Sequence, residues 1–287
     1  MGKKLIKIEI NGYGFKTDSK DLNELKSEIS GELKSEISLF IQKHNLLEAD
    51  IYILNGFAIK GNQPLKDNDK INIIKRGVMP SNEILKSMIE ARNSPELNNA
   101  LSNACVGIAG LGGLGSNIAL SLARVGISKL VLVDFDIVEP SNLNRQQYYV
   151  SHIGMNKTHA LKDLISKINP FVEVITHEIY LDKTNVADIF SECSIVCEAF
   201  DNTLSKSMII NEAGNSLKDK KIICGSGMAG MHSSNLIKTV KFANNLYICG
   251  DFTNEAKIGQ GLMAPRVAIC ANHEANLALR LLMNLGV

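Results

Sequence analysis

Residues 107–116 read GIAGLGGLGS and follow directly on a short apolar run. Within this stretch Gly110, Gly112 and Gly115 have the G-x-G-x-x-G spacing of a loop that joins a strand to a helix and holds a phosphate group. The first glycine permits the tight turn, the second lets phosphate oxygens approach backbone N–H groups, and the third lets the helix pack closely on the sheet. The helix N-terminus that follows also favours negative charge. The stretch predicts a Rossmann-like nucleotide site, but alone it does not separate NAD from ATP.

The chain around this loop alternates between strand and helix patterns. The predicted strands are 104–109, 129–134, 172–176, 194–199 and 221–225, and the predicted helices are 115–125, 156–168, 183–191 and 205–218. Residues 232–250 alternate like two antiparallel strands, and 265–284 form a closing helix. Strands rich in Val and Ile between helices are typical of a doubly wound parallel sheet. We therefore predict the α/β class, with a Rossmann-like, doubly wound and mostly parallel sheet over residues 104–287.

The first 78 residues have a different pattern. Strand signals precede and follow one helical stretch, and Asn11-Gly12 offers a hairpin turn between the first two strands. The strand patterns include 3–10, 51–59 and 64–76, and the helical pattern covers roughly 20–44. The order β-β-α-β-β looks like a small β-grasp, ubiquitin-like domain at 1–78. Residues 79–103 are predicted to be a helical linker, interrupted around 93–95.

Composition excludes several classes of protein. The formal net charge is +1, with 45% hydrophobic and 21% charged residues, which is ordinary for a soluble globular protein. Because no large basic cluster is present, a nucleic-acid partner is not expected. No apolar run is long enough for a membrane span, and the N-terminus alternates like a strand instead of a signal peptide. We expect a cytoplasmic protein without a membrane partner.

The six cysteines contain no C-x-x-C pair. Structural zinc is usually bound by two closely spaced pairs of ligands, so no zinc is expected. The interpretation for these thiols is that they are small, reduced core residues.

Several polar residues after the glycine loop favour ATP as the nucleotide. Asp134 ends the second predicted strand, where a carboxylate can accept hydrogen bonds from ribose hydroxyls. Asn142, Arg145 and Lys157 follow in the next loop and could reach bound phosphates. Asp201 comes at the end of a later strand, where one carboxylate and phosphate oxygens suit Mg²⁺.

Alternatives remain open for the same residues. Asp201 and Asn202 could cap the helix that begins near 203, and Arg145 could form a surface ion pair. The glycine loop could serve an NAD-dependent oxidoreductase instead.

Five ordered motifs together carry a family resemblance. They are the glycine loop GLGGLGS, VDFD at 133–136, SNLNRQ at 141–146, the lysine that follows IGMN, and the DN of EAFDN. Over about residues 82–287 the chain resembles the ThiF branch of the ThiF/MoeB/E1 superfamily of adenylating enzymes. The resemblance implies binding of ATP and Mg²⁺ and adenylation of the C-terminal glycine of a sulfur carrier protein, with release of pyrophosphate. For ThiF the carrier is ThiS, and the pathway makes the thiazole of thiamine. A homodimer is also implied.

The resemblance implies roles for individual residues. Arg145 and Lys157 would hold phosphates and stabilise charge during attack at the α-phosphorus, Asn142 would add a donor, and Asp134 would bind the ribose. Asp201 would position the metal. Arg92 resembles an arginine that reaches the ATP of the other subunit. Further nucleotide-binding positions are Gly110, Gly112, Gly113, Gly115 and Asn202, with Gly113 expected to keep the loop low beside the carrier's terminal glycine.

Three segments depart from the family pattern or are ambiguous. The loop GDFTNEAKIGQG lacks a cysteine for a covalent link to the carrier, so Cys249 at its edge is the one candidate, with an inert core thiol as the alternative. The N-terminal domain resembles ThiS but runs on through IIKRGVMP without ending in Gly-Gly, which favours a docking or regulatory role. The segment GSGMAGMHSS at 225–234 could line a channel for the carrier tail or form a turn.

Two other functions stay open beside sulfur-carrier adenylation. One is an NAD-dependent Rossmann oxidoreductase. The other is an E1-like enzyme or scaffold for another carboxylate, such as a molybdopterin-type carrier.

Overall fold

The computed structural model describes residues 5–31, 35–59 and 61–287. The chain divides into two compact units, one ending at Asn93 and the next beginning at Ser94. Each unit has a hydrophobic core of its own. The expected linker over 79–103 is divided by this boundary, with one of its helices in each unit.

The first unit is built on a five-stranded sheet with the order β2-β1-β5-β3-β4. Strands β1 and β5 pair in parallel at its centre, and the remaining pairs are antiparallel, as in a β-grasp fold. Two helices cover the sheet and bury Leu25, Ile37 and Ile41 against Ile10 and Ile71. The elements are β1 (Ile6–Ile10), β2 (Tyr13–Thr17), α1 (Leu22–Ser30), α2 (Glu36–Lys43), β3 (Ile51–Leu54), β4 (Phe57–Ala58) and β5 (Asp69–Ile74).

The single helix predicted over 20–44 is wrong, since the chain forms α1 and α2 instead. Gly31 leaves the helix with φ −73° and ψ 159°, and Ser35 starts a new one by accepting a hydrogen bond from the Ser38 N–H. The apolar spacing continues across this break and conceals it. Residues 32–34, together with residues 3 and 4 of the first predicted strand, lie outside the described residues.

Helix α3 (Asn82–Glu90) packs on the first unit. Its Ile84 is fully buried, and Ser87 lies against the hairpin turn between β1 and β2. The contact is so close that a Cβ on Gly12 would lie 1.5 Å from Ser87 Oγ. His44 Nδ1 and Ser81 Oγ, 3.0 Å apart, join the start of α3 to the end of α2.

The second unit has a seven-stranded sheet with the order β11-β12-β10-β9-β6-β7-β8. All neighbouring strands are parallel except β11 and β12, which confirms the predicted mostly parallel sheet and antiparallel edge. The strands are β6 (Cys105–Ala109), β7 (Lys129–Val133), β8 (Glu173–His177), β9 (Ile195–Glu198), β10 (Lys221–Gly225), β11 (Lys238–Lys241) and β12 (Leu246–Gly250). The helices are α4 (Pro95–Ser102), α5 (Gly113–Val125), α6 (Lys157–Ile168), α7 (Val186–Ile189), α8 (Thr203–Ala213) and α9 (Ala264–Leu282).

Helices cover both faces of this sheet. α5, α6 and α9 pack with alternate strand residues such as Val106 and Ile108 in one cluster, and α7 and α8 pack with Ala109 and Val131 in another. Each central strand is buried on both sides, which explains its continuous apolar sequence. In the described ranges no helix has the length and apolar character needed to cross a membrane.

Candidate nucleotide site

A cleft of about 350 Å³ lies at the carboxyl ends of β6, β7, β9 and β10 in the second unit. Ligands of doubly wound sheets bind at this edge. Gly115 and Asn142 do not line the cleft, and Arg92 belongs to the first unit. The cleft is lined by eight of the residues predicted from the sequence, namely Gly110, Gly112, Gly113, Asp134, Arg145, Lys157, Asp201 and Asn202.

The glycine loop has the geometry expected from its spacing. Gly110 has φ +91°, a conformation that residues with a side chain rarely adopt. A Cβ on Gly115 would lie 1.9 Å from the Gly110 carbonyl oxygen, so α5 approaches the loop as closely as backbone permits. By contrast, the protein atom nearest to a Cβ on Gly112 is 3.8 Å away. The space beside Gly112 therefore belongs to the cleft, and the N-terminus of α5 faces it.

Gly113 has a packing role. A Cβ there would lie 2.9 Å from a methyl carbon of Val267 and 3.7 Å from Arg145 Cγ. The small residue lets α9 and the arginine approach the loop closely. The expected place of Gly113 beside a carrier's terminal glycine stays a prediction.

Asp134 supports the glycine loop from the end of β7. Its carboxylate accepts hydrogen bonds from the Leu111 N–H at 2.6 Å and the Asp136 N–H at 2.8 Å. Burial raises the pKa of Asp134, and the nearby Lys157 ammonium opposes this effect. Tyr148 holds the same loop by donating to the Leu111 carbonyl at 2.8 Å. Side chains of the protein itself thus hold the loop in this conformation.

Lys157 is the first residue of α6 and is almost fully buried at the cleft. Its Nζ lies 2.8 Å from an Asp136 carboxylate oxygen and 3.9 Å from an Asp134 oxygen. The lysine therefore has acidic partners that hold its side chain in place. Asp136 is half exposed in the cleft and is a further candidate to bind a ribose or a metal ion. The sequence contains a clue to this residue, because Asp136 is the second aspartate of the VDFD motif.

Arg145 ends a short 3-10 helix, Pro140–Asn144, and enters the cleft. Its guanidinium donates to the Ser141 carbonyl and to Asn144 Oδ1, while its Nε is buried without a hydrogen-bond partner. Asn142 caps this turn, because its side chain accepts from the Glu139 N–H at 3.0 Å. The structure thus shows Asn142 shaping the turn that carries Arg145, and its contact with phosphate stays a prediction.

Asp201 and Asn202 follow β9 at the cleft edge. Asn202 is the N-cap of α8, with its Oδ1 accepting from the Ser205 N–H at 2.8 Å, which confirms the capping alternative for this residue. Asp201 is exposed in the cleft. In the described parts of the chain no three His, Cys, Asp or Glu side chains form a metal-binding group. A single carboxylate next to phosphates is nevertheless the usual protein contribution to a Mg²⁺–nucleotide site, so Asp201 fits that group.

Lys206 and Glu198 belong to the site but were not predicted from the sequence. Glu198 is fully buried at the end of β9, and both of its oxygens accept from Lys206 Nζ, at 2.9 and 2.6 Å. The same Nζ donates to the Gly225 carbonyl at 2.9 Å. Burial, the largest single effect, lowers the pKa of Lys206, but the charge of Glu198 and its hydrogen bonds to the ammonium, with smaller contributions from other nearby groups, outweigh burial, and the net shift of the pKa is upward. Lys206 stays charged and links β10 to β9 at the cleft. A single lysine in a helical sequence gives no indication of such a role.

An aromatic pair stands at the mouth of the cleft. The rings of Phe135 and Tyr180 have centroids 5.6 Å apart, and both line the cleft with more than half of each residue exposed. Gln146 lies deeper, with its Oε1 buried and without a hydrogen-bond partner. Aromatic surface beside a few polar groups is typical of a cleft that binds a small molecule.

The first four residues of the glycine-rich segment 225–234 line the cleft. Arg266 of α9 donates to the carbonyls of His232 and Ser233 and pairs with the buried Asp251. Burial opposes ionisation of Asp251, but hydrogen bonds from Asn254 and Thr253 and the Arg266 charge lower its pKa overall. Arg266 therefore holds the far end of the segment, beyond the residues that line the cleft. Whether a carrier tail lies against it stays a prediction.

Two further candidates lie away from the cleft lining. Arg92 lies in the first unit, where its guanidinium is close to Gly56, at the turn between β3 and β4. Cys249 on β12 is fully buried, and burial together with Glu274 raises its pKa to about 12. Such a thiol is a poor nucleophile, which favours the inert alternative for Cys249.

Two family models match this chain. The ThiF family model matches residues 86–286, and a ThiS-like ubiquitin model matches residues 22–77. The first match covers the cleft and all the sheet around it. The second falls within the β-grasp unit.

Curated relatives match part of this chain at 36–37% identity. A probable adenylyltransferase/sulfurtransferase, MoeZ from Mycobacterium tuberculosis, is 36% identical over 127 residues, which are 44% of this chain and 32% of that protein. The adenylyltransferase and sulfurtransferase UBA4 of Scheffersomyces stipitis is 37% identical over 152 residues, which are 53% of this chain and 32% of that protein. The match therefore spans about a third of the length of these relatives.

Solved structures share the fold at lower identity. The Escherichia coli tRNA N6-threonylcarbamoyladenosine dehydratase TcdA, in complex with ATP, superposes with a TM-score of 0.64 at 20% identity, over 72% of this chain and 98% of that one. E. coli MccB with ATP gives a TM-score of 0.51 at 20% identity, over 71% and 63% of the two chains. The chain belongs to the ThiF family and carries a ThiS-like ubiquitin domain ahead of its ThiF region.

Proposed function

We propose that this protein is an adenylyltransferase that binds ATP with Mg²⁺ in the cleft and transfers AMP to the C-terminal glycine carboxylate of a sulfur carrier protein, releasing pyrophosphate. Adenylyltransferase is part of the names of MoeZ and UBA4, and ATP is bound in the TcdA and MccB structures. We further propose a ThiS-like protein as the carrier, with thiamine thiazole synthesis as the pathway, and a homodimer in which Arg92 contributes to the partner's ATP.

The observation that supports this function best is the convergence of charge on one cleft. The N-terminus of α5, Arg145 and Lys157 all face the same 350 Å³ space, and Asp201 stands at its edge. Such a set suits a polyphosphate and a cation, whereas hydride transfer requires no such cluster. NAD as the nucleotide is therefore less well supported.

The proposed reaction joins two negatively charged groups. The carrier carboxylate, ionised at neutral pH because its ordinary pKa is about 3.5, attacks the α-phosphorus. A bond forms between the carboxylate oxygen and phosphorus, and the bond to the bridging oxygen breaks as pyrophosphate leaves with the electron pair. Arg145 and Lys157 lower the energy of the transition state by neutralising phosphate oxygens, and the fixed glycine loop orients the α-phosphate. No residue needs to act as a general base.

Asp201 would hold the Mg²⁺ that accompanies ATP, and Asp136 is a second oxygen donor at the same cleft. When bound, the ion supplies charge neutralisation for the leaving pyrophosphate. Asp201 and Asp136 would position the ion through their carboxylate oxygens.

The β-grasp unit is proposed to dock or regulate and not to be the acceptor. After β5 the chain turns at Gly77, with φ +72°, and continues into α3, which packs on the same unit. This ThiS-like domain has no chain end of its own at that point, so no terminal carboxylate is offered. The acceptor is then a separate protein.

Replacement of Arg145 by Ala tests the proposal. We expect carrier-dependent ATP–pyrophosphate exchange to fall by about 10²–10³-fold, the usual effect of removing one transition-state donor. Arg124→Ala, at an exposed arginine in the last turn of α5, is the matched control and should keep full exchange. Normal exchange in the folded Arg145→Ala protein would overturn the assignment.

The acceptor can be identified by mass spectrometry. Candidate carriers, ThiS-like and molybdopterin-type, are incubated with the protein, ATP and Mg²⁺, then treated with hydroxylamine. Adenylation converts the terminal carboxylate of the true carrier to a hydroxamate. Absence of this product from every carrier, together with binding of NADH but not ATP in calorimetry, would favour the oxidoreductase alternative.

A further inference from the structure

Two buried thiols meet at the side of the sheet away from the cleft. Cys105 begins β6, and Cys193 lies in the turn between α7 and β9. Their Sγ atoms are 3.3 Å apart, although 88 positions separate them in sequence. All six cysteines are free thiols.

The backbone around the pair is held on both sides. The Cys105 carbonyl accepts from the Ser194 N–H at 3.1 Å, and the Cys193 carbonyl accepts from Lys220 Nζ at 2.8 Å. The Cys193 N–H itself donates to Phe190 at 3.0 Å. Backbone hydrogen bonds on both sides therefore hold the two cysteines in positions where their thiols face each other.

The remaining distance to a disulfide is small. An S–S bond measures about 2.05 Å, so the sulfurs must approach by roughly 1.2 Å. Rotation of the two side chains about their Cα–Cβ bonds can supply a movement of this size.

The pair lies one layer below the surface. Cys105 is 8% exposed and Cys193 is 2% exposed, while Glu192 and Ser194 on either side of Cys193 are exposed. The hydrogen bond from Cys193 lowers the pKa of the Cys105 thiol against the opposing effect of burial, with a smaller contribution from Lys129. The same contact and burial raise the pKa of Cys193. Cys105 is thus the thiol that reacts first.

We propose that Cys105 and Cys193 form a reversible disulfide when the protein meets a hydroperoxide. The Cys105 thiolate attacks the terminal oxygen of the hydroperoxide, an S–O bond forms, the O–O bond breaks, and the departing alkoxide, or hydroxide from hydrogen peroxide, takes up a proton. The Cys193 sulfur then attacks the sulfenic sulfur, the S–S bond forms, and the S–O bond breaks. The hydroxyl group leaves as water with the Cys193 proton. Two thiols are oxidised and one hydroperoxide is reduced, and a small dithiol reverses the bond by exchange.

The disulfide would join the first residue of β6 to the turn that precedes β9, and the nucleotide cleft lies at the opposite, carboxyl ends of these strands. Oxidation should therefore leave the cleft residues in place. This separates the proposal from the adenylation proposal, since either one can fail while the other holds.

The test is a peptide map of the full chain after oxidation. The reduced, folded protein is treated with hydrogen peroxide, quenched, unfolded and alkylated with N-ethylmaleimide. We expect a linked peptide that contains Cys105 and Cys193, with the other four of the six cysteines alkylated. Dithiothreitol before alkylation should restore all six. A map without this link, or with Cys105 oxidised to sulfinic acid while Cys193 remains a thiol, would overturn the proposal.

Two variants locate the chemistry. In Cys193→Ser the resolving sulfur is lost, so Cys105 should accumulate as sulfenic acid that dimedone traps. Cys270→Ser removes another buried thiol and should form the link at the wild-type rate. Equal dimedone labelling of Cys105 in the wild type and in Cys193→Ser would contradict a resolving role for Cys193. If Cys193→Ser does not fold, the wild-type peptide map still decides.

Discussion

Glu274 on α9 is a carboxylic acid enclosed by the core of the second unit. It is fully buried, and neither carboxyl oxygen has a hydrogen-bond partner. Burial, with the nearby Glu198 charge, raises its pKa well above the usual range. A buried carboxylate without partners would be costly, so the folded protein keeps the proton.

Replacing Glu274 by Gln should remove a pH dependence of stability. Above about pH 4.3 the unfolded chain releases this proton while the folded chain retains it, so the free energy of unfolding of the wild type falls as pH rises. Glu274→Gln does not titrate, so we expect its free energy of unfolding to gain on that of the wild type as the pH rises from 5 to 8. Urea unfolding at pH 5 and pH 8 measures the difference. Glu36→Gln, at an exposed residue, should keep the wild-type slope. The same slope in Glu274→Gln would show that Glu274 titrates normally.

Lys206 and Glu198 form a buried pair whose two halves depend on each other. Lys206→Met leaves the Glu198 carboxylate without a counter-ion and should cost about 3–5 kcal/mol in the free energy of unfolding. The double variant Lys206→Met/Glu198→Gln removes both charges and should recover most of that loss. Denaturant titration of the two single variants and the double variant gives the coupling free energy. Additive losses would mean that the pair does not interact as the 2.6 and 2.9 Å contacts indicate.

Individual side chains were predictable from the sequence where a local pattern fixes their place. Gly110 and Gly115 have the roles that their spacing predicts, because both depend on a turn of a few residues. Lys206 and Glu198 were missed because they are eight positions apart on different elements, and only the tertiary fold brings them together. Gln146 was missed because its buried Oε1 has no partner that a local pattern could indicate. Asn142 was predicted from its motif to contact phosphate. In the structure its side chain instead accepts a hydrogen bond from the Glu139 N–H of the same turn.

Two glycines between β6 and α5 should respond differently to replacement by alanine, one through stability and the other through ATP binding. Gly115→Ala would place a Cβ 1.9 Å from the Gly110 carbonyl oxygen, so we expect α5 to be displaced and the free energy of unfolding to fall by about 1–3 kcal/mol or more. Gly112→Ala meets no protein atom closer than 3.8 Å and should change stability by about 1 kcal/mol or less, yet it should weaken ATP binding because the methyl group enters the cleft. Thermal unfolding and calorimetric ATP titration separate the two effects. Equal ATP affinity in Gly112→Ala and the wild type would place the phosphates elsewhere.

Elements in the second unit were easier to predict than those in the first. Strands such as β6 and β10 are buried on both faces and form unbroken apolar runs between helices. The break between α1 and α2 was missed because Leu25, Ile29 and Ile37 keep a helical spacing while the backbone leaves the helix at Gly31. Apolar spacing reports which residues enter the core and not whether the backbone hydrogen bonds continue.

At the scale of the whole molecule, the sequence predicted two domains and their classes. The β-grasp and doubly wound patterns each close around their own core, and a change of period near residue 78 is visible in the sequence. The place of α3 was not predictable, because its contacts with Gly12 and His44 are tertiary. The sequence pattern indicates that 79–103 connects the two domains, but it does not show which domain each of its two helices packs on.

The two cores predict two unfolding transitions, of which ATP should move only one. Ligand that binds the folded second unit raises its free energy of unfolding by RT ln(1 + [L]/Kd), about 2.7 kcal/mol at 100 times Kd. We expect differential scanning calorimetry with ATP and Mg²⁺ to shift one transition upward and leave the other in place. Leu25→Ala, at a fully buried position of the first unit, should lower only the transition that ATP does not move. A single transition that responds to both changes would mean that the two units unfold cooperatively despite their separate cores.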